Sequence, residues 1–242
     1  VKNGIKYLLQ KSLGFKNYLY VFALFKIRTL KNDTKEKDFF HFTKYLVDGK
    51  GAVLDIGANI GIMSVHLSKI VPNSPIHAFE PIPDNVDVLR RIVQKFKLEN
   101  VYIHEFAIGD QQGTVDMVLP VNSGTKMQGL SHVRHQSIND WNSGIDYKVT
   151  IDTLDNFMKK QKIQGIKIDV ENFEYFALKG GEQIIRSNKP VIYAELWDND
   201  NRKNCFQLLQ SLSYSVNVVV NDELILFNSE IHTHQNFIFL PN

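Results

Sequence analysis

Cysteine is almost missing from this sequence: Cys205 stands alone among 242 residues. A single thiol excludes an internal disulfide framework and points to a reducing, cytoplasmic compartment. An excess of charge of either sign is missing too. With 28 Lys and Arg against 26 Asp and Glu, the net charge of +2 lacks the basic surplus of a nucleic-acid binder, so no nucleic-acid partner is expected. There is no secretory signal pattern, no internal repeat and no low-complexity tract. The longest apolar run near the start, Tyr18 to Phe25, is stopped by Lys26 and is too short to span a bilayer. What remains, 43% hydrophobic and 22% charged, is the composition of an ordinary globular protein with room for one sizeable α/β domain and a peripheral segment. The chain opens on Val1 rather than Met, so a longer native amino-terminus is expected.

Residues 1–48 are expected to form a helical cap or arm, and residues 49–242 the main domain. Within the cap, 1–33 is basic and aromatic, a pattern that suits water-facing lysines, or else an arm that touches an anionic membrane face or covers a substrate cleft. Asp33, Thr34, Lys35 and Glu36 resemble a helix start with an acid in the first turn. From Ala52 the rhythm changes. AVLDI, PIHAFE, VYIHEF, GIKIDV and PVIYAEL read as buried strands, with helical patterns such as IMSVHLSKI and DNVDVLRRIVQKFKL between the first three. That alternation predicts a doubly wound, Rossmann-like parallel sheet with helices on both faces. The tail departs from it: YSVNVVV and ELILF, joined by Asn221 and Asp222, predict an antiparallel pair, and QNFIFL a further strand. The turn-rich stretch 113–150 predicts a substrate-facing insertion.

In such sheets ligands gather beyond the carboxyl ends of the strands, which is where VLDIGANIG (Val53 to Gly61) lies. A phosphate cradle needs a lysine and a hydroxyl after the last glycine, whereas Gly61 is followed by Ile62 and Met63. A dinucleotide loop wants a middle glycine where Asn59 stands, and an acid such as Asp55 repels a pyrophosphate. S-adenosylmethionine fits better. Asp55 suits its ammonium, directly or through water, and Glu80 at the end of the next strand has the acceptor capacity for a ribose diol.

Taken in order, DIGANIG, FEPIPDN, FAIGDQQG, TIDTLDNF and IKIDVENFEYFALKGG resemble the FkbM-type methyltransferases over roughly residues 50–197. The resemblance implies a class I fold and S-adenosylmethionine-dependent transfer of a methyl group, usually to oxygen, on sugars, glycans or secondary metabolites. It implies donor contacts from Asp55, Gly57, Asn59 and Gly61 on the methionine half, Glu80 on the ribose, and Ala107 and Asp110 near the adenine. Pro83 and Asn85 are expected to begin a helix rather than touch ligand.

For the transfer itself, Asp169 and Glu171 at the fourth strand end are the candidate base or substrate-orienting groups, placed on one side if the strand alternation continues. Where the family usually has glycine after the second acid, this chain has Asn172, which tolerates a left-handed backbone and is expected to narrow the acceptor space. His132 in the insertion is a further candidate base, with His135 beside it in sequence. No metal site is enforced by spacing, although Asp169 with Glu195 offers hard oxygen ligands suited to Mg²⁺. The expected partner is a small-molecule or glycan acceptor. An NAD-linked oxidoreductase and a catalytically inactive donor-binding protein remain as alternatives.

Overall fold

The computed structural model describes residues 2–136, 138 and 141–242, so positions 137, 139 and 140 of the expected insertion lie outside the described residues. Three short apolar runs become the strands β1 (Ala52–Ile56), β2 (Ile76–Phe79) and β3 (Val101–His104). A second group follows: β4 (Ala107–Ile108), β5 (Gly113–Asn122), β6 (Thr125–Lys126), β7 (His132–Val133) and β8 (Gly144–Asp152). The chain then resumes with β9 (Ile163–Ile168), β10 (Val191–Glu195), β11 (Tyr214–Val220), β12 (Glu223–Leu226) and β13 (Asn236–Pro241).

Among the described residues the main sheet has eight strands in the order β12-β11-β13-β10-β9-β1-β2-β3. β3, β2, β1, β9 and β10 are parallel, as buried crossover strands should be. β11 and β12 form the expected antiparallel pair. The turn between them holds Asn221 and Asp222 at φ 52° and 63°, the left-handed pair that a two-residue hairpin requires. The last strand does not add to the edge. β13 inserts antiparallel between β10 and β11, pairing Tyr193 with Ile238 and Val216 with Phe239.

Nine α-helices among the described residues pack around these strands: α1 (Lys2–Leu13), α2 (Phe15–Thr29), α3 (Lys37–Thr43), α4 (Ile62–Ile70), α5 (Pro83–Phe96), α6 (Leu154–Phe157), α7 (Glu174–Lys179), α8 (Glu182–Asn188) and α9 (Asp200–Ser211). Side chains alternate across the sheet. Leu54, Ile56, Ile166 and Ile168 meet Leu178, Ile185 and Leu209 of α7 to α9 on one face. Val53 and Tyr193 meet Phe39 and Phe42 of α3 on the other. On that second side Leu19, Ala23 and Ile27 of α2 pack with Val65 of α4 and Val88 and Ile92 of α5. Pro83 at the first turn of α5 and Asp84 after it start that helix as their chemistry favours.

The expected α-helix start at Asp33 is instead a 3₁₀ turn, Thr34–Glu36, whose Asp33 side chain accepts from the Lys35 amide; the α-helix begins at Lys37. The stretch 113–150 is more regular than its turn residues suggested. β5 and β8 form a long antiparallel ribbon in which Val115 faces Val149 and Met117 faces Tyr147. The ribbon is tied to the amino-terminus by polar groups: Gln10 donates to the Lys126 carbonyl and accepts from the Lys126 amide, at 2.9 and 3.0 Å. α1 thereby leaves Ile5, Leu8, Leu9 and Leu13 exposed. Among the described residues no helix is long and apolar enough to cross a membrane.

Candidate active site

The strand order reverses between β1 and β9, and the glycine loop leaves β1 at this switch point. Gly57 has φ 75°, and a Cβ there would stand 1.9 Å from the Asp169 carbonyl oxygen, so the two strand ends approach as closely as they do because no side chain intervenes. Asn59 also adopts a left-handed backbone, φ 51°. Gly61 serves packing rather than the cavity: a Cβ would meet Leu89 of α5 at 2.5 Å.

Asp55 is fully buried. The sequence suits it to a ligand ammonium, directly or through water; within the protein its carboxylate meets a cation of the chain itself. Parallel pairing sets Asp55 beside Lys167 of β9, whose Nζ lies 3.1 Å from Oδ1, while the Ser64 hydroxyl donates to Oδ2 at 2.5 Å. Lys167 also donates to the Gly57 carbonyl at 2.8 Å. Burial alone lowers the pKa of this amine, but Asp55 and Asp169 more than offset that and leave it raised. The cation that Asp55 requires is supplied by the protein itself. Lys167 therefore fixes the glycine loop to β9 from beneath.

Above the loop lies a cavity. Phe79, Ile82, Phe106, Ala107 and Ile108 form an apolar bay, and Glu80 is the buried carboxylate at its edge. Glu80 accepts from the Asn59 amide at 2.9 Å, the Ile82 amide at 2.9 Å and Asn85 Nδ2 at 3.2 Å. Desolvation still dominates, and its pKa is raised to about 7. Three amide side chains on the cavity wall, Asn59, Asn85 and Gln128, each hold a buried oxygen with no hydrogen-bond partner. Such orphans are costly in a folded protein and suit a ligand that brings donors.

At the end of β9 the chain does not continue as a strand. Glu171 and Asn172 are both left-handed, φ 53° and 73°, so alternation does not decide where the acids point. The turn brings Asp169, Val170, Glu171 and Phe173 to the cavity wall nonetheless. Burial, and then the charges of Asp169, Glu195 and Glu174, push the Glu171 pKa well up. Glu174, buried behind it, accepts from the Val170 amide at 3.0 Å and from Asn201 at 2.7 Å. Burial raises its pKa to about 7. Asn172 turns aside, accepting from Asn199 Nδ2 at 2.7 Å, so it does not narrow this cavity.

The remaining expected site residues are dispersed. Ala107 lines the cavity. Asp110 stands away from it, paired with Lys179 at 2.9 Å. His132 is buried in the insertion with its ring nitrogens against the Leu130 carbonyl and Asn142 Oδ1, and does not reach the cavity as a base must. Glu195 lines a separate polar groove of about 1720 Å³, together with Glu36, Asp38 and His232. Among the described residues no group of three or more His, Cys, Asp or Glu is arranged to hold a metal ion. Asn85 does lie in the first turn of α5 as expected, but it also stands on the cavity wall, contrary to the expectation that it only begins the helix. Lys167 and Gln128 were not picked out from sequence; the lysine inside the otherwise apolar IKI run was the available signal, and Gln128 carried none.

The model of the methyltransferase FkbM domain matches residues 55–216. Methyltransferase 1 of Beauveria bassiana is 24% identical over 144 residues, 53% of this chain and 57% of that protein. Methyltransferase sdnD of Sordaria araneosa is 24% identical over 171 residues, 60% of this chain and 66% of that protein. The matched stretches thus span less than two thirds of either curated relative. The crystal structure of an FkbM methyltransferase from Methylobacillus flagellatus superposes with a TM-score of 0.56 at 14% identity, covering 99% of this chain and 59% of that one. An rRNA methylase from Streptococcus thermophilus gives 0.51 at 10% identity, covering 86% and 96%, which shows a shared class I fold.

Proposed function

Since the chain belongs to the FkbM methyltransferase family, we propose that it transfers the methyl group of S-adenosylmethionine to a hydroxyl oxygen of a sugar, glycan or secondary metabolite. The observation that carries this reading is the pairing of an apolar bay with a buried carboxylate, Glu80, at the end of β2. The bay suits an adenine, and Glu80 Oε2, which accepts one protein amide, retains capacity for a ribose hydroxyl. The orphan oxygens of Asn59, Asn85 and Gln128 suit further donors of the same ligand. Ala107 would contribute backbone at the adenine edge.

When bound, S-adenosylmethionine supplies an electrophilic methyl group. The chain's own contribution is alignment and proton handling. Asp169 lines this cavity and also a second hollow behind the glycine loop, so it stands at the junction of the two. From there it accepts the proton of an incoming hydroxyl. Glu171, on the same wall, orients that hydroxyl by hydrogen bonding. Phe173 and the insertion residues Met117 and Val133 wall the cavity against water.

The test is a radiolabelled methyl-transfer screen over sugars, lipid-linked glycans and small hydroxylated acceptors, with Asp169→Asn in parallel. The expected outcome is an O-methylated product whose rate drops at least 10²-fold in the variant, in the range of about 10²–10⁴ for a lost general base. Products methylated on nitrogen or carbon, or a variant as fast as wild type, contradict the proposal.

A further inference from the structure

The hollow behind the glycine loop, about 740 Å³, shares Gly57, Asn59, Gln128, Gly129 and Asp169 with the main cavity. The two cavities thus adjoin at these residues. The two compartments differ in chemistry. The first offers apolar surface and one buried carboxylate, which suits a neutral nucleoside. The second is lined by charges of both signs, Lys26 and Lys167 against Glu36 and Asp169, which suits a zwitterion.

Its outer wall comes from the amino-terminal segment, outside residues 55–216. Phe22, Lys26 and Leu30 recur every four residues along and just beyond α2 and so share a helical face turned to the hollow. α2 is held there by Leu19, Ala23 and Ile27, buried against α4 and α5. Of the two cations, Lys167 is committed to Asp55 and the Gly57 carbonyl. Among the described residues Lys26 pairs with Asp33 only, at 2.6 Å, with both side chains partly exposed, so its remaining donors are available. Glu36, at the end of the 3₁₀ turn, completes the wall. Independently of these charges, the Gln128 side chain sits at the junction, 7% exposed, with Oε1 unpartnered.

We infer that residues 22–36 build the amino-acid half of the donor site, with Lys26 binding the α-carboxylate and Glu36 binding the α-ammonium. This rests on the donor reading above and adds to it a segment that lies beyond the matched family domain. The cap is then part of the binding machinery. Its helix α2 carries the carboxylate partner into a site otherwise made by strand ends.

Two ligands separate this role from a structural one. S-adenosylhomocysteine carries the amino-acid end; 5′-methylthioadenosine keeps the adenine, ribose and thioether but lacks it. Calorimetry on the intact chain should show Lys26→Met weakening S-adenosylhomocysteine by about 10- to 100-fold, the range of a lost hydrogen bond to a charged group. The affinity for 5′-methylthioadenosine should stay within about twofold, which also reports that the variant is folded, and Lys26→Arg should restore most of the loss. If Lys26→Met weakens both ligands equally, or neither, the assignment of Lys26 is overturned while the donor reading stands. If wild-type protein binds neither ligand, the donor reading itself fails and this inference falls with it.

Discussion

Asp55 shows how a residue can be located from sequence while a partner within the protein goes unread. A buried acid before a glycine turn does call for a cation, but register decides which one, and register is set by strand pairing that no local pattern reports. Once β1 and β9 align, Asp55 faces Lys167 and the charge is met within the protein. Glu80 was legible because its place, one residue past β2, is the place itself. Glu171 carries a consequence that binding can test. Its raised pKa means that it holds a proton below that value, and a sulfonium cation nearby favours the ionised form. Binding of S-adenosylmethionine therefore displaces a proton, and its affinity rises with pH until Glu171 ionises unaided. S-adenosylhomocysteine, whose sulfur is neutral, does not sense this group. The ratio of the two affinities, measured by calorimetry from about pH 6 to 9, should climb with pH by at most about tenfold per unit, and Glu171→Gln should flatten it. A constant ratio in wild-type protein counts against a sulfonium beside Glu171.

Elements with strong periodicity were read closely. IMSVHLSKI is α4 residue for residue, and the five parallel strands fall where apolar runs predicted them. The β5–β8 ribbon was not, although Val115, Met117, Leu119 and Val121 recur at every second position and residues 117–120 form a buried apolar run. Pro120 and the surrounding Gly, Asn and Ser mask that alternation, since proline within a run argues against a strand. The ribbon gains its stability from cross-strand pairs and from packing on Ile82 and Phe173, contacts between distant parts of the chain. The amino-terminal helices divide by burial. Leu19 of α2 is completely buried, whereas Leu8 of α1 is 65% exposed. Leu19→Ala should lower unfolding stability by about 2–5 kcal/mol, and Leu8→Lys should change it by no more than about 0.5 kcal/mol. Urea denaturation checks both, and a large effect at Leu8 means that α1 is covered in solution.

At the scale of the molecule, a switch point in an open parallel sheet collects the loop, Glu80 and the β9 turn at one rim. The β5–β8 ribbon and β7 roof that rim through Met117 and Val133, and the amino-terminal segment backs it through Phe22 and Lys26. The strand alternation made the rim legible; the roof and back wall depend on tertiary contacts, which is why Gln128 and Lys26 carried no signal of their own. The account stands on Glu80 as the ribose partner of a methyl donor, against its rival role in a dinucleotide site. Calorimetry of wild-type protein and Glu80→Ala with S-adenosylhomocysteine and NAD tests this most directly. Wild type should bind S-adenosylhomocysteine and not NAD, and the variant should lose about 10-fold or more, as expected for a charge-assisted hydrogen bond. Tighter binding of NAD, or unchanged binding of S-adenosylhomocysteine by Glu80→Ala, contradicts it.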